Sequence, residues 1–211
     1  VNDAADLLAP PRGGSNAWAI APSESETGHA VLANDPHLPM RLPSNWYENH
    51  LVGGSHEVTG ASFPGLPAVA IGHNSHIAWG LAVSFAHAQN LHSVELDPAI
   101  PGRYREGGSW RQAEVFTEEI SVKGQTDPIE ERVYVAMDGP VVPQIEFGGA
   151  GEDNRKGVIS SSSLGPSQDL TGFLRLSTAS DLTQFRAACA DIRGAHLNVV
   201  YADAAGNIGH T

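Results

Sequence analysis

The chain has 211 residues, 41% apolar and 17% charged, with 24 acidic side chains against 12 Lys and Arg, a formal net charge of −12. That length and balance suit a globular body of one domain or two small ones. The acidic excess argues against nucleic acid or an anionic membrane surface as partner, since both need a basic face. No apolar run reaches the roughly 18 residues a bilayer-spanning helix requires, and a lone cysteine, Cys189, excludes an internal disulfide.

In chain order, residues 1–14 are polar and punctuated by Pro and Gly, which reads as a linker or propeptide remnant. Residues 15–211 read as the domain that follows. The chain opens on Val1 without a signal peptide and closes on Thr211 inside what looks like a hairpin, so we expect a piece of a longer protein. Strand-like runs are predicted at Ala17–Ala21, Ala30–Ala33, Trp46–Val52, Val69–Gly72, Ile77–Leu81, Leu91–Leu96, Val115–Val122, Arg132–Met137, Gly157–Ser160 and Leu197–Tyr201. Val115–Val122 and Arg132–Met137 should form a hairpin across Lys-Gly-Gln-Thr-Asp-Pro. Pro98 to Arg111, polar and with five Gly and Pro, reads as surface loop.

Two helices are predicted. Asp181 is a suitable N-cap with Gln184 three residues on, a variant capping box. Leu182, Phe185, Ala188, Cys189 and Ile192 then follow at helical spacing, and Gly194 stands where a glycine ends many helices. A shorter helix is predicted over Asp169–Leu176. Cys189, on the apolar face, reads as core filler. The expected class is α+β, mostly antiparallel β with one or two helices.

The chemistry-bearing stretch is Gly13-Gly14-Ser15-Asn16-Ala17-Trp18-Ala19-Ile20, a flexible glycine pair leading through a serine into an apolar run. Taken alone it has two readings. In one, Ser15 caps a turn at a strand start. In the other, the Gly14–Ser15 bond is cut and the freed α-amine, titrating near ~8, becomes the base that activates the Ser15 hydroxyl. Asn34-Asp35-Pro36-His37 reads as a loop after a strand, presenting His37 where an imidazole could assist a hydroxyl. His73 and His76, in Gly-His-Asn-Ser-His, read as a turn or as a metal pair; no Cys or acidic residue joins them at ligand spacing. A phosphate-binding glycine loop and the Gly-x-Ser-x-Gly elbow are both absent.

Five ordered motifs resolve the ambiguity. Gly-Ser-Asn-Ala-Trp (14–18), Leu-Ala-Asn-Asp-Pro-His-Leu (32–38), Pro-Ser-Asn-Trp-Tyr-Glu (43–48), Gly-Ala-Ser-Phe-Pro-Gly-Leu-Pro (60–67) and Ile-Gly-His-Asn-Ser-His-Ile-Ala-Trp-Gly (71–80) strongly resemble the penicillin amidase family of N-terminal-nucleophile hydrolases. That family includes cephalosporin and acyl-homoserine-lactone acylases. The likeness is dense from about residue 13 to 97 and thinner through 138–142 and 201–209.

The resemblance implies an αββα architecture in the parent, self-cleavage at Gly14–Ser15, and amide hydrolysis through an acyl-enzyme on Ser15. Val83 falls where the family uses a backbone N–H in the oxyanion hole, a donor worth roughly 3 kcal/mol of barrier. His37 falls where several members place a histidine beside the nucleophile and others a glutamine. Asn16, Asn34 and Phe85 are the implied substrate-binding candidates. The family's second oxyanion donor, an asparagine, would lie past Thr211, so we expect this piece to be inactive without the α subunit and the remainder of the β subunit. Related enzymes hold calcium with acidic residues. The matching stretch here is Phe85-Ala-His87-Ala-Gln89-Asn90, so no cofactor or tight calcium site is expected in it. Family habit points to an exported, periplasmic or extracellular protein. The rival readings are a non-catalytic β-rich binding or assembly module and, further off, a metal-dependent hydrolase using His73, His76 and His87.

Overall fold

The computed structural model describes residues 14–86, 88–147 and 154–211, so the reading of residues 1–13 and of His87 lies outside the described residues. Two compact units are present, one built from residues 88–147 and 154–165, the other from residues 14–86 and 166–211. Elements are numbered along the chain.

The second unit carries the motifs. β1 (Gly14–Ile20) and β2 (Val31–His37) form an antiparallel ribbon. β3 (Tyr47–Gly53), β4 (His56–Ser62), β5 (Ile71–Asn74), β6 (Ile77–Val83), β14 (Leu197–Asp203) and β15 (Ile208–His210) make a six-stranded sheet in the order β15-β14-β6-β5-β4-β3, antiparallel throughout. One face of that sheet is covered by α1 (Asp169–Leu176) and α2 (Leu182–Asp191). Phe173 and Leu176 from α1, and Phe185 and Ala188 from α2, are buried with Val58, Trp79, Val199 and Tyr201 of the strands. The Phe185 and Tyr201 rings lie 4.7 Å apart. Alternation along the strands supplies the sheet's apolar face, and helical spacing supplies the matching one.

Local chemistry sets the helix ends. The Asp181 carboxylate accepts from the Gln184 N–H at 2.8 Å, and the Gln184 side chain returns to Ser180 and Asp181. The expected glycine stop is different. The helix ends at Asp191, Ile192 is extended, and the Gly194 N–H instead donates to the Asp169 carboxylate at 3.0 Å, tying the chain after α2 back to the start of α1. At the β14–β15 turn, Asp203 accepts from Asn207 N–H and from the Tyr201 hydroxyl (2.8 and 2.7 Å). Burial alone would raise the Asp203 carboxyl, but these hydrogen bonds outweigh it and hold it below the usual carboxylate range. The Tyr201 phenol is pushed upward, chiefly by burial and then by its bond to Asp203.

The first unit is a five-stranded antiparallel sheet in the order β10-β11-β12-β13-β7, with a small separate hairpin of β8 and β9. Its strands are β7 (Gln89–Glu95), β8 (Arg103–Glu106), β9 (Ser109–Gln112), β10 (Glu114–Ile120), β11 (Ile129–Ala136), β12 (Gly139–Phe147) and β13 (Arg155–Ser161). Val94, Tyr104, Ala113, Ala136 and Val158 form its core.

Three sequence expectations are corrected. The segment Pro98–Arg111, expected as loop, contains the β8–β9 hairpin, because Gly107-Gly108 makes a tight turn and Trp110 lies across the Arg103 and Arg105 side chains (5.6 and 6.0 Å). β12 escaped notice because Pro140 and Pro143 interrupt it. It pairs with β11 through only two residues, its register with β13 shifts between Val142 and Glu146, and Gly139 is the residue that lets its start pass against the Ile159 carbonyl. β2 runs through Pro36 to His37, where a loop was expected. β2 pairs only with β1, and an edge strand needs no N–H from proline on its free side.

Candidate active site

The β1–β2 ribbon presents two unlike faces. Its register pairs Ser15 with Pro36, Asn16 with Asp35 and Ala17 with Asn34, so cross-strand partners share a face and sequence neighbours do not. Ser15, Ala17, Asn34 and Pro36 are partly buried on one face. Asn16, Trp18, Asp35 and His37 are exposed on the other.

Asn34 fastens the inner face to the sheet. β5 pairs with β6 only through Trp79 and Ala78. Past that point the Asn34 side chain takes the place of a neighbouring strand. Its Nδ2 donates to the Leu81 carbonyl at 2.9 Å and to the Asn16 carbonyl at 2.8 Å, while its Oδ1 accepts from the Leu81 N–H at 3.0 Å. One amide therefore ties β2, β1 and β6 together. Gly80 permits this approach, since a Cβ there would stand 2.8 Å from the Asn34 Cβ.

The same ladder aims Val83. Ser84 N–H bonds the His196 carbonyl, continuing the β6–β14 pairing in which Val83 faces Leu197. Alternation along an antiparallel ladder then turns the amides of Gly80 and Ala82 toward β14, and those of Leu81 and Val83 toward the opposite edge. That is the edge where Asn34 holds Leu81. The Val83 amide is thus directed to the ribbon's side of β6.

Ser15 lies at the ribbon's end against a cavity of about 340 Å³. Leu38, Trp46, Phe63, Leu81 and Val83 are among its walls, so it is apolar around one hydroxyl. The Ser15 hydroxyl donates to the Gly14 carbonyl oxygen at 2.6 Å.

Other expected residues fall elsewhere. His37 stands on the outer face, half exposed, with its Nε2 2.8 Å from the Asp35 carboxylate; its ring bonds Asp35 rather than Ser15. Asn16 contributes its carbonyl to Asn34, and its side chain is on the exposed outer face. Phe85, in the left-handed region at φ 51°, is exposed and is not among the walls of the Ser15 cavity. The chain beside it is anchored by the Ser84 hydroxyl on the His196 carbonyl at 2.8 Å. His73 and His76 do not converge: the His73 ring contacts the Asn74 carbonyl, and the His76 backbone N–H donates to the Asn74 side chain. Among the described residues no three His, Cys, Asp or Glu side chains gather as metal ligands would. Cys189 is partly buried beside the core, and burial pushes its thiol up to about 12, which suits packing and not nucleophilic chemistry.

Sequence reasoning missed three features here. Asp35 is the ring partner of His37, a relation that i,i+2 spacing signals once the segment is read as strand. Trp46 and Phe63 stood inside the quoted motifs without a role, yet they stack at 4.1 Å and wall the cavity.

The sequence profile of the penicillin amidase family matches residues 2–211. An acyl-homoserine lactone acylase, QuiP, from Pseudomonas aeruginosa is 32% identical over 205 residues, covering 90% of this chain and 23% of its own length. A second acyl-homoserine lactone acylase, PvdQ, from Pseudomonas putida is 37% identical over 133 residues, 61% of this chain and 17% of its own length. A thermostable penicillin G acylase from Alcaligenes faecalis superposes with a TM-score of 0.77 at 28% identity, over 92% of this chain and 34% of that one. The chain spans about a quarter of the length of the QuiP relatives it matches. Its antiparallel sheets and two helices match a fragment of the penicillin acylase fold, as expected from sequence. With a profile match over nearly every residue and with relatives of that type, the chain belongs to the penicillin amidase family.

Proposed function

We propose that the protein carrying this chain is an acylase, hydrolysing the amide bond of a small N-acyl substrate through an acyl-enzyme on Ser15. The observation that carries this reading is the Ser15 hydroxyl, 2.6 Å from the Gly14 carbonyl oxygen, at an apolar cavity that Val83 also lines. While Gly14 and Ser15 remain joined, the Ser15 nitrogen is an amide and cannot act as a base. Maturation begins when the Ser15 oxygen attacks the Gly14 carbonyl carbon. The C–N bond breaks, the departing nitrogen takes the proton, and an ester links Gly14 to the Ser15 oxygen. Water then cleaves the ester, leaving a Gly14 carboxylate and a free Ser15 amine.

That amine is the base for turnover. It accepts the hydroxyl proton as the oxygen attacks the substrate carbonyl, then delivers it to the departing amine of the substrate. Water repeats the sequence on the acyl-enzyme and releases the carboxylic acid. Charge developing on the substrate oxygen is met by the Val83 N–H. The rest of the precursor is the partner that completes the site, so the isolated chain folds without turning substrate over.

Intact-mass analysis and N-terminal sequencing of the mature full-length protein test this. Ser15 is expected as a new chain terminus in every active preparation. Full activity with the Gly14–Ser15 bond intact would falsify the mechanism.

A further inference from the structure

The hairpin of β10 and β11 also has two faces, and they differ in charge balance. Its strands pair from Glu114 with Val135 out to Ile120 with Ile129, yet β11 meets β12 only at Val135 and Ala136. Beyond that root, among the described residues, the hairpin is a two-stranded arm with no third strand on either edge. Such an arm is marginal in water unless something packs on it. On one face Thr117 stands opposite Arg132 and Glu119 opposite Glu130, and the Arg132 Nε lies 3.1 Å from the Glu130 carboxylate. On the other, Phe116 stands opposite Val133, Glu118 opposite Glu131, and Ile120 opposite Ile129. Phe116, Ile120 and Ile129 are each about half exposed. Glu118 and Glu131 face each other between those apolar pairs, and among the described residues neither has an ion-pair or hydrogen-bond partner. Like charges directly opposite weaken an antiparallel pair. The least balanced charges of the arm therefore sit in its most apolar face.

We propose that this face is covered by a segment of the full-length protein outside residues 1–211, one that carries a Lys or Arg between apolar side chains. The cation enters between Glu118 and Glu131. Its apolar neighbours pack on Phe116 and Val133 at one end and on Ile120 and Ile129 at the other. Charge selects a basic occupant: a second copy of this chain, formally −12, would bring the same glutamates against each other. Permanence selects one from the same molecule, because an apolar arm without further strands needs its cover whenever the protein is folded. The chain spans about a quarter of the length of the QuiP relatives, so such a protein has ample sequence to supply it. The inference rests on the reading of the remaining precursor as this chain's partner, and not on the chemistry at Ser15.

Two measurements on the full-length protein test this, and neither reads hydrolysis. In hydroxyl-radical footprinting, labelling of Phe116, Ile120 and Ile129 is expected to be lost in the native protein and regained on unfolding, at every protein concentration. The double variant Glu118→Gln, Glu131→Gln then reads the cation through the sign of its effect. With a Lys or Arg docked between the carboxylates, neutralising them lowers the heat-unfolding midpoint by about 2–4 °C. With both carboxylates facing water, the same change relieves repulsion and leaves the midpoint level or raises it. Free labelling in the native protein overturns the inference. Protection that appears only as concentration rises assigns the face to a second copy and overturns it too, as does a level or raised midpoint. The footprint is taken on the unaltered protein, so it decides even if the variant is not recovered. Any of these failures leaves the Ser15 mechanism standing, whereas an uncut but fully active protein would overturn that mechanism and leave this inference standing.

Discussion

The two faces of the β1–β2 ribbon are built from adjacent residues and have opposite roles. The inner face carries Ser15 and Asn34, is partly buried, and is fastened to β6 by two hydrogen bonds from the Asn34 side chain, which makes a third to β1. The outer face carries Asp35 and His37, which bond each other in the open. The difference teaches that closeness in sequence to the nucleophile says little about sharing its chemistry. In a strand, a shift of one residue moves a side chain to the other side of the sheet.

Substitutions on the two faces should therefore separate by size of effect. Ser15→Ala in the full-length protein is expected to abolish chain cleavage and to lower hydrolysis of a chromogenic N-acyl anilide by at least about 10³-fold. A cleaved, active alanine variant would end the distinction between the faces. Next comes Asn34→Ala, which leaves the Leu81 N–H and carbonyl and the Asn16 carbonyl without their partners. A loss of about 2–3 kcal/mol in denaturant unfolding is expected, together with slower self-cleavage as the ribbon loosens from β6. Gly80→Ala presses on the same contact from the other side and should cost less, about 1–2 kcal/mol.

His37→Gln sharpens the comparison from the outer face. Self-cleavage should proceed, and kcat/KM should stay within about tenfold of the parent, since the imidazole bonds Asp35 and not Ser15. A collapse as deep as that of Ser15→Ala would place the ring at the nucleophile during turnover. The smallest effect lies away from both faces. Cys189, with its thiol raised to about 12 by burial, should resist a thiol reagent at about pH 8 in the folded protein and react after unfolding.

Some of this was readable from residue order. Asp181 with Gln184, and the spacing of Leu182, Phe185 and Ala188, act within a few turns of backbone, so α2 was legible, as was α1 at Asp169–Leu176. The β10–β11 hairpin was legible for the same reason, being flanked by apolar runs across a short polar tip. β4 was not. His56–Ser62 has one deeply buried apolar residue, Val58, and it is a strand because β3 and β5 flank it on both edges. β12 was hidden by its prolines, which its irregular pairing tolerates.

The sequence by itself determined the helices, most strands and the ordered motifs that mark Ser15, because caps, turns and periodicity are short-range properties of the chain. Only the tertiary structure decided which face of the ribbon meets the sheet, and it did so through contacts between residues 47 positions apart, Asn34 with Leu81. Alternation says that Ser15 and His37 lie on different sides. It cannot say which side will be covered until β6 offers its unpaired edge to one of them.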